Sequence, residues 1–365
     1  MKPRVAIIAG GKSGEHEVSL QSARSVLAAL DRDKYEVVVV GVTKQGRWIA
    51  ADDALELLEG EKAEVRDAAQ VSLATQGRRE LVPGISEHPF PQVDVVFPVM
   101  HGTYGEDGTV QGLLELAGLP YVGAGVLGSA LGLDKVTQKN VLEANGLPVV
   151  PYQVVLRSRW QREREAVLHG VLDQLALPLF VKPSCGGSSV GCSKAHSEAE
   201  LAAGLDLAAR FGRKLLVETA VNAREIECSV LGNDEPCASV LGEVLPGNEF
   251  YDYRAKYIDD NSTLCIPAAL DAALTAHIRE MAVRAFVAID CAGMARVDFF
   301  VDRETSAVYV NELNTIPGFT RISMYPKLWE ASGLSYPRLL NRLIELAVER
   351  HRERLATETD YGYDH

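Results

Sequence analysis

The sequence predicts an α/β protein: a parallel-sheet N-terminal domain, then a two-part unit that grows richer in strands toward its end. Three observations carry this. Apolar runs alternate with segments of helical period through the first third, the pattern of a parallel sheet. From Leu215 onward, strand patterns follow one another with few helices between them. The length of 365 residues, at about 150 per domain, leaves room for two to three domains.

Residues 5–9 form a buried-strand run closed by Gly10 and Gly11, and 17–30 carry Val18, Ala23, Val26, Leu27 and Leu30 at helical spacing. Strands are expected at 35–42, 93–99 and 120–122, with a helix at 108–117. A charged helix is expected at 51–66, followed by surface connections to about residue 91. The second unit begins near Ala124, with helices at 134–145, 162–175 and 198–211. Its strands fall at 150–156, 179–182, 190–194 and 215–218. Further strands are read at 225–231, 237–244, 263–266, 294–301 and 308–314, closed by helices at 270–289 and 336–353. The divisions expected are 1–123, 124–217, 218–354 and a polar tail, 355–365.

Composition narrows the function classes. Hydrophobic residues make up 47% and charged residues 24%, which excludes collagen-like, disordered and disulfide-stapled chains. Thirty-seven basic against fifty acidic side chains give a net charge of −13, so nucleic acid is not an expected partner. No two of the six cysteines are separated by two to four residues, which leaves no zinc knuckle and no CxxC motif. Apolar runs stay far below the about 18 residues that cross a bilayer, and strand pattern begins directly after residue 3. The thiols are read as reduced and the protein as cytoplasmic, with no membrane partner.

Two motifs look attractive and fail. Gly10-Gly11-Lys12-Ser13 ends like a phosphate-binding P-loop, but Ala6, inside a strand, stands where the first glycine belongs. Gly123-Ala124-Gly125-Val126-Leu127-Gly128 is a literal GxGxxG, yet the acidic residue expected some twenty positions on is missing; that region reads Leu147-Pro148-Val149-Val150-Pro151. A tight strand-to-helix turn accounts for each.

Two others carry chemistry. In residues 180–191 a lysine, Lys182, ends an apolar strand and a Gly/Ser loop follows. Such a loop can bring backbone N–H groups to phosphate oxygens while the lysine supplies charge. Further on, strand alternation puts Arg296 and Asp298 on one face, and Glu312 and Asn314 on one face of the next strand. If those strands pair, hard oxygen ligands converge, a set that suits Mg²⁺ or Mn²⁺ bridging nucleotide phosphates.

Together these features resemble the ATP-grasp superfamily, and within it the D-alanine–D-alanine ligase family. The resemblance is carried in order by Gly10 through Ser19, His101-Gly102 with Gly105 through Gly108, and Lys182 through Gly191. Tyr251-Asp252-Tyr253 with Lys256-Tyr257, and Asn311 through Gly318, complete it. It implies a Rossmann-like N-terminal domain followed by a two-part ATP-grasp fold, with ATP between the second and third units.

The implied roles fall on matching positions. Lys135, Lys182 and the loop serine Ser189 would serve the phosphates. Glu218 would meet the adenine amino group, the backbone from Thr219 to Val221 its ring edge, and Glu225 the ribose. Asp298, Glu312 and Asn314 would hold two Mg²⁺ or Mn²⁺. Glu15 would bind the ammonium of the first D-alanine, with Ser188 and Tyr257 positioning it and His101 nearby. Arg296 and the Gly318 backbone would face the oxyanion. Ser323 and Lys256 would take the second substrate's carboxylate, with Met324 lining its pocket.

The implied activity is ATP-dependent joining of two D-alanines through a D-alanyl phosphate, for peptidoglycan precursors, by a possible homodimer. The polar, aromatic-studded segment 247–261 would be a lid. The alternatives are a sister ligase taking D-lactate or D-serine second, a dinucleotide-dependent oxidoreductase using 123–128, and a nucleotide-binding regulator without turnover.

Overall fold

In a six-stranded sheet that opens the chain, the central strand β1 (Arg4–Gly10) is buried along nearly its whole length. It pairs in parallel with β2 (Glu36–Val42) on one side and, on the other, with β6 (Val95–Pro98). Between them in the chain lie β3 (Trp48–Ala50), β4 (Ala69–Leu73) and β5 (Leu81–Pro83), and the spatial order is β5-β4-β3-β2-β1-β6. Helices α1 (His16–Ala29), α2 (Ala54–Glu59) and α3 (Thr109–Leu116) accompany the sheet. The computed structural model describes residues 2–50, 54–59, 69–73, 81–83, 92–245, 263–320 and 322–358.

The core of this sheet is parallel as expected, but β3, β4 and β5 add on in antiparallel fashion. The reason is chain length. β2 and β3 are joined by a tight turn in which Thr43 N–H donates to Arg47 O at 2.9 Å. A turn of that size permits an antiparallel neighbour, whereas a parallel one needs a crossover of a dozen residues or so. The strand expected at 120–122 is a single parallel bridge, Tyr121 to Val96. The helix expected at 51–66 is α2, and residues 60–68 lie outside the described set.

The second unit opens with α4 (Val126–Leu133), absent from the expectations because its mean apolarity gives no polar face to read, and α5 (Lys135–Ala144). Asp134 caps α5, accepting from Thr137 N–H at 3.1 Å. Strands β7 (Tyr152–Leu156), β8 (Leu179–Pro183), β9 (Ser193–Ala195) and β10 (Lys214–Thr219) form an antiparallel sheet in the order β7-β10-β8-β9. The expected helix 162–175 is two, α6 (Arg157–Arg162) and α7 (Arg164–Leu172), because Glu163 at φ −134° interrupts the helical backbone. Helix α8 (Glu198–Ala209), capped by Ser197, covers β8 and β9.

The third sheet holds β11 (Ala223–Gly232), β12 (Cys237–Leu245), β13 (Thr263–Cys265), β14 (Gly293–Asp302) and β15 (Val308–Asn314). Their order is β13-β12-β11-β14-β15, antiparallel throughout. Its two faces differ in chemistry. Ala295, Val297, Phe299 and Val301 of β14 point into a core with α9 (Ala272–Ala288), whose Ile278, Met281, Ala285 and Phe286 are buried there. Arg296 and Asp298 alternate to the opposite face. Helix α10 (Met324–Ala331) was not expected, and α11 (Tyr336–Leu355) closes the chain. Leu339, Leu340 and Leu343 of α11 share one core with Val5, Ile7 and Phe97, so the last helix fastens the first sheet to the third.

Among the described residues no helix is long and apolar enough to cross a membrane.

Candidate functional site

A cavity of about 1040 Å³ lies between the four-stranded and five-stranded sheets and reaches the C-terminal end of the first sheet. Its lining draws on all three units.

On the four-stranded side, Lys182 at the end of β8 lines the cavity and its Nζ pairs with Glu218 Oε1 of β10. Glu218 itself is buried just behind the lining, where Lys139 Nζ of α5 stands 3.3 Å from its Oε2. Burial alone would raise the Glu218 carboxyl, but the two lysines outweigh it and hold the group below its ordinary range. Lys135, first residue of α5, reaches Glu312 Oε2 at 2.7 Å and donates to Gly186 O at 3.1 Å. Burial pulls Lys135 toward neutrality, and the Glu312 carboxylate more than reverses this. Thr219, Val221, Glu225 and Ser189 also line the cavity.

The loop after β8 winds through left-handed backbone at Ser188 (φ 50°) and Ser189 (φ 59°), which is why the strand expected at 190–194 starts only at Ser193. That winding turns the loop against Glu15, and Ser188 Oγ donates to Glu15 Oε1. A Cβ on Gly187 would lie 2.7 Å from both Glu15 carboxylate oxygens, so glycine is required for this approach. Burial, then the nearby Glu106, push the Glu15 carboxyl above its usual range; His101, Ser188 and Lys135 act against them. His101 is buried, with Nδ1 3.1 Å from Ile316 O and Nε2 3.2 Å from Ser22 Oγ. Burial would depress its ring, but Glu106 and Glu15 raise it overall.

On the five-stranded side, Arg296 forks onto Asp298, Nε to Oδ1 and Nη2 to Oδ2, both at 2.7 Å. Its Nε also stands 3.0 Å from Glu227 Oε2. Asp298 faces Glu312 across the β14–β15 pair, and Arg296 faces Asn314, whose Nδ2 donates to Asp298 Oδ2 at 3.1 Å. A shift of register between Asp298 and Phe299 leaves Asn311 as an extra residue in β15. Because of that bulge Val310 points into the α9 core while Glu312 points into the cavity.

Asp298, Glu312 and Asn314 offer only hard oxygen donors on adjacent strands, a set that fits Mg²⁺ or Mn²⁺. Among the described residues no three His, Cys, Asp or Glu side chains gather as a self-sufficient metal site.

Gly318 and Ser323 sit together in the lining, where a Cβ on Gly318 would lie 2.7 Å from Ser323 Oγ. Ser323 Oγ accepts from Thr320 N–H at 3.0 Å, and Met324 follows at the start of α10. Of the expected site residues, Lys256 and Tyr257, with the whole segment 247–261, lie outside the described residues.

The motifs that failed on sequence serve packing. Gly10 N–H donates to Ser19 Oγ at 2.7 Å and Gly11 N–H to Val42 O at 2.8 Å, so the amides of both glycines are spent internally. A Cβ on Gly128 would lie 2.6 Å from Asp290 O, and Gly123 abuts Gly293; the 123–128 run is a close backbone crossing outside the cavity lining, contrary to the dinucleotide alternative.

Two residues near the site escaped the sequence reading, and a third, Glu106, stood in a quoted motif without a role. Glu227 lies two positions after Glu225, on the same face of β11, and period-two alternation could have found it. Lys139 lies four positions after Lys135, on the same helix face. Glu106 accepts from Gly102 N–H at 2.7 Å and belongs to a turn whose sequence shows no period.

Two family models match, described as the N-terminus of D-Ala–D-Ala ligase (residues 4–124) and its C-terminus (residues 141–345). A D-alanine–D-alanine ligase of Natranaerobius thermophilus is 49% identical over 362 residues, covering 99% of each chain. One of Heliobacterium modesticaldum is 51% identical over 362 residues, covering 99% of this chain and 98% of its own. Among solved structures, the D-alanine–D-alanine ligase of Coxiella burnetii superposes with a TM-score of 0.85 at 40% identity, over 97% of this chain and 96% of that one. A D-Ala:D-Ser ligase of Enterococcus faecalis gives 0.84 at 35% identity, over 95% and 100%.

Proposed function

Because the chain belongs to the D-alanine–D-alanine ligase family, we propose that it joins two D-alanine molecules at the expense of ATP, as the ADP-forming ligase of peptidoglycan precursor synthesis. The observation that carries the reading is one cavity lined by Glu15, Lys135, Lys182, Arg296, Asp298 and Glu312. It holds an acid for an ammonium, cations for phosphates and carboxylates for divalent ions. Relatives near 50% identity named for the D-alanine dipeptide favour D-alanine over D-lactate or D-serine as second substrate.

The chemistry explains the residue types. A carboxylate oxygen is a poor leaving group, so the first D-alanine's carboxylate attacks the γ-phosphorus and ADP departs, leaving an acyl phosphate. The second D-alanine's amine then attacks the acyl carbon, and phosphate leaves from the tetrahedral intermediate. Glu15, held by Ser188, would bind the first ammonium, with His101 and Tyr257 beside it. Lys135 and Lys182 would meet the phosphates under the 182–191 loop, with Ser189 in that loop. Glu218, Thr219, Val221 and Glu225 would take adenine and ribose.

Arg296 and the Gly318 N–H would stabilise the oxyanion. Ser323 and Lys256 would bind the second carboxylate beside Met324. Divalent ions held by Asp298, Glu312 and Asn314 would neutralise the charge that develops on the γ-phosphoryl group. A bare acyl phosphate hydrolyses, so burial of Glu15 beneath the loop serves to keep water out. We place this enzyme in the cytoplasm and propose a homodimer.

The test is ADP release against D-alanine concentration, with the product identified by mass. ADP formation that is independent of D-alanine would overturn the reading.

A further inference from the structure

Helix α5 carries two lysines one turn apart, and each is fastened to an acid on a different sheet. Lys135 meets Glu312 of β15 and Lys139 meets Glu218 of β10. Glu218 therefore has two cations, Lys139 from α5 and Lys182 from β8, and these are not equivalent. Lys182 lines the cavity with 15% of its side chain exposed; Lys139 is 1% exposed and does not line it. A ligand can draw Lys182 away, but Lys139 is out of reach. Besides Glu218, the aromatic ring of Tyr152 stands 5.7 Å from Lys139 Nζ.

We propose that Lys139 is a positioning residue for the nucleotide base: it keeps Glu218 a carboxylate once Lys182 turns to the phosphates, and so makes the site select adenine. The inference rests on the reading above that Glu218 faces the adenine amino group.

The physical argument concerns a charge with 1% exposure. A carboxylate buried without a cation takes up a proton. An ionised Glu218 only accepts hydrogen bonds, which matches the amino group of adenine and repels a base carrying a carbonyl there. A protonated Glu218 could donate as well, and the distinction would fade. The charged and titratable groups around Glu218 are Lys182 and Lys139, with Lys135, Tyr152 and Glu312 beyond; Lys182 and Lys135 both line the cavity and are open to a ligand's phosphates, so Lys139 is the cation that stays. Burial, joined by the neighbouring Lys182, brings Lys139 below the ordinary lysine range although the Glu218 carboxylate opposes them, and the departure of Lys182 to a phosphate relieves one of the two.

The test uses the full chain with Mg²⁺ and compares binding of ADP and inosine diphosphate by calorimetry. Wild type should prefer ADP. Lys139→Met should lower that preference by about ten- to a hundredfold, the worth of a hydrogen bond to a charged group. Lys139→Arg should retain the preference, and Glu218→Gln should lose it. If the methionine variant is unstable, Lys139→Gln, polar but uncharged, makes the same comparison. Equal losses for both nucleotides, with the ratio unchanged, would mean a purely structural lysine and overturn the proposal. A wild-type ratio in Glu218→Gln would instead show that Glu218 does not read the base, and the premise would fall before Lys139 is judged.

Discussion

Lys135 Nζ stands 2.7 Å from Glu312 Oε2, and through that contact the first residue of α5 is fastened to β15 across the cavity. The pair joins that helix to the five-stranded sheet. It places a cation where phosphates would lie and an acid where divalent ions would lie, each stabilising the other's charge until a ligand divides them.

Glu312→Gln keeps the size of the side chain and removes its charge. If this carboxylate bridges two divalent ions, ADP release should fall by more than the about 10²–10³ lost with an oxyanion-hole donor. Circular dichroism should be unchanged, since the α9 core lies on the other face of β15. Turnover near the wild-type rate would remove Glu312 from the metal site.

Arg296→Ala should slow the chemical step while sparing nucleotide affinity, because the oxyanion it is proposed to meet exists mainly in the transition state. The comparison is ADP–Mg²⁺ calorimetry against kcat. Loss of ADP affinity comparable to the loss in kcat would reassign Arg296 to the phosphates or to holding Asp298.

Glu15 predicts a pH dependence with a definite sign. Burial and Glu106 raise its carboxyl, so it gains a proton above the usual carboxylate range as pH falls. Binding of the first D-alanine, for which the carboxylate is the proposed partner, should weaken through that same interval while ADP affinity holds. Stability runs the other way. A raised folded pKa means the contribution is present at low pH and lost as pH rises through it. Glu15→Gln should therefore melt higher than wild type at neutral pH yet bind D-alanine poorly. A KM for D-alanine in this variant equal to wild type would contradict the role.

Gly187→Ala puts a methyl 2.7 Å from the Glu15 oxygens. Either the loop or the carboxylate must shift, and kcat/KM for D-alanine should drop by at least about tenfold, the scale of a 1.4 kcal/mol change. Melting temperature should move little, because the loop lies at the surface of the cavity. Unchanged kinetics would show that the loop does not close on Glu15 during turnover.

Much of this protein was legible in its residues. The apolar run of β1 announced a strand covered on both faces, and the alternation of Ala295, Val297 and Phe299 with Arg296 and Asp298 announced a two-faced strand. The Lys182 loop and the spacing of Asp298, Glu312 and Asn314 pointed to one site, and the fold brings them into the lining of one cavity. These signals are local: they depend on neighbours two to four residues apart, which backbone geometry fixes.

What lay beyond the sequence depends on closure over long separations. Glu15 and Ser188 are 173 residues apart, and only the packed fold sets one against the other. The bulge at Asn311 decides that Glu312 and Val310 face opposite ways, although plain alternation would put them together. Likewise the choice of Glu312 for Lys135, and of Glu218 for Lys139, follows from where α5 crosses two sheets. A charge pattern says that an acid needs a cation; register and helix placement say which one, because a buried charge takes the partner that the surrounding packing brings within reach.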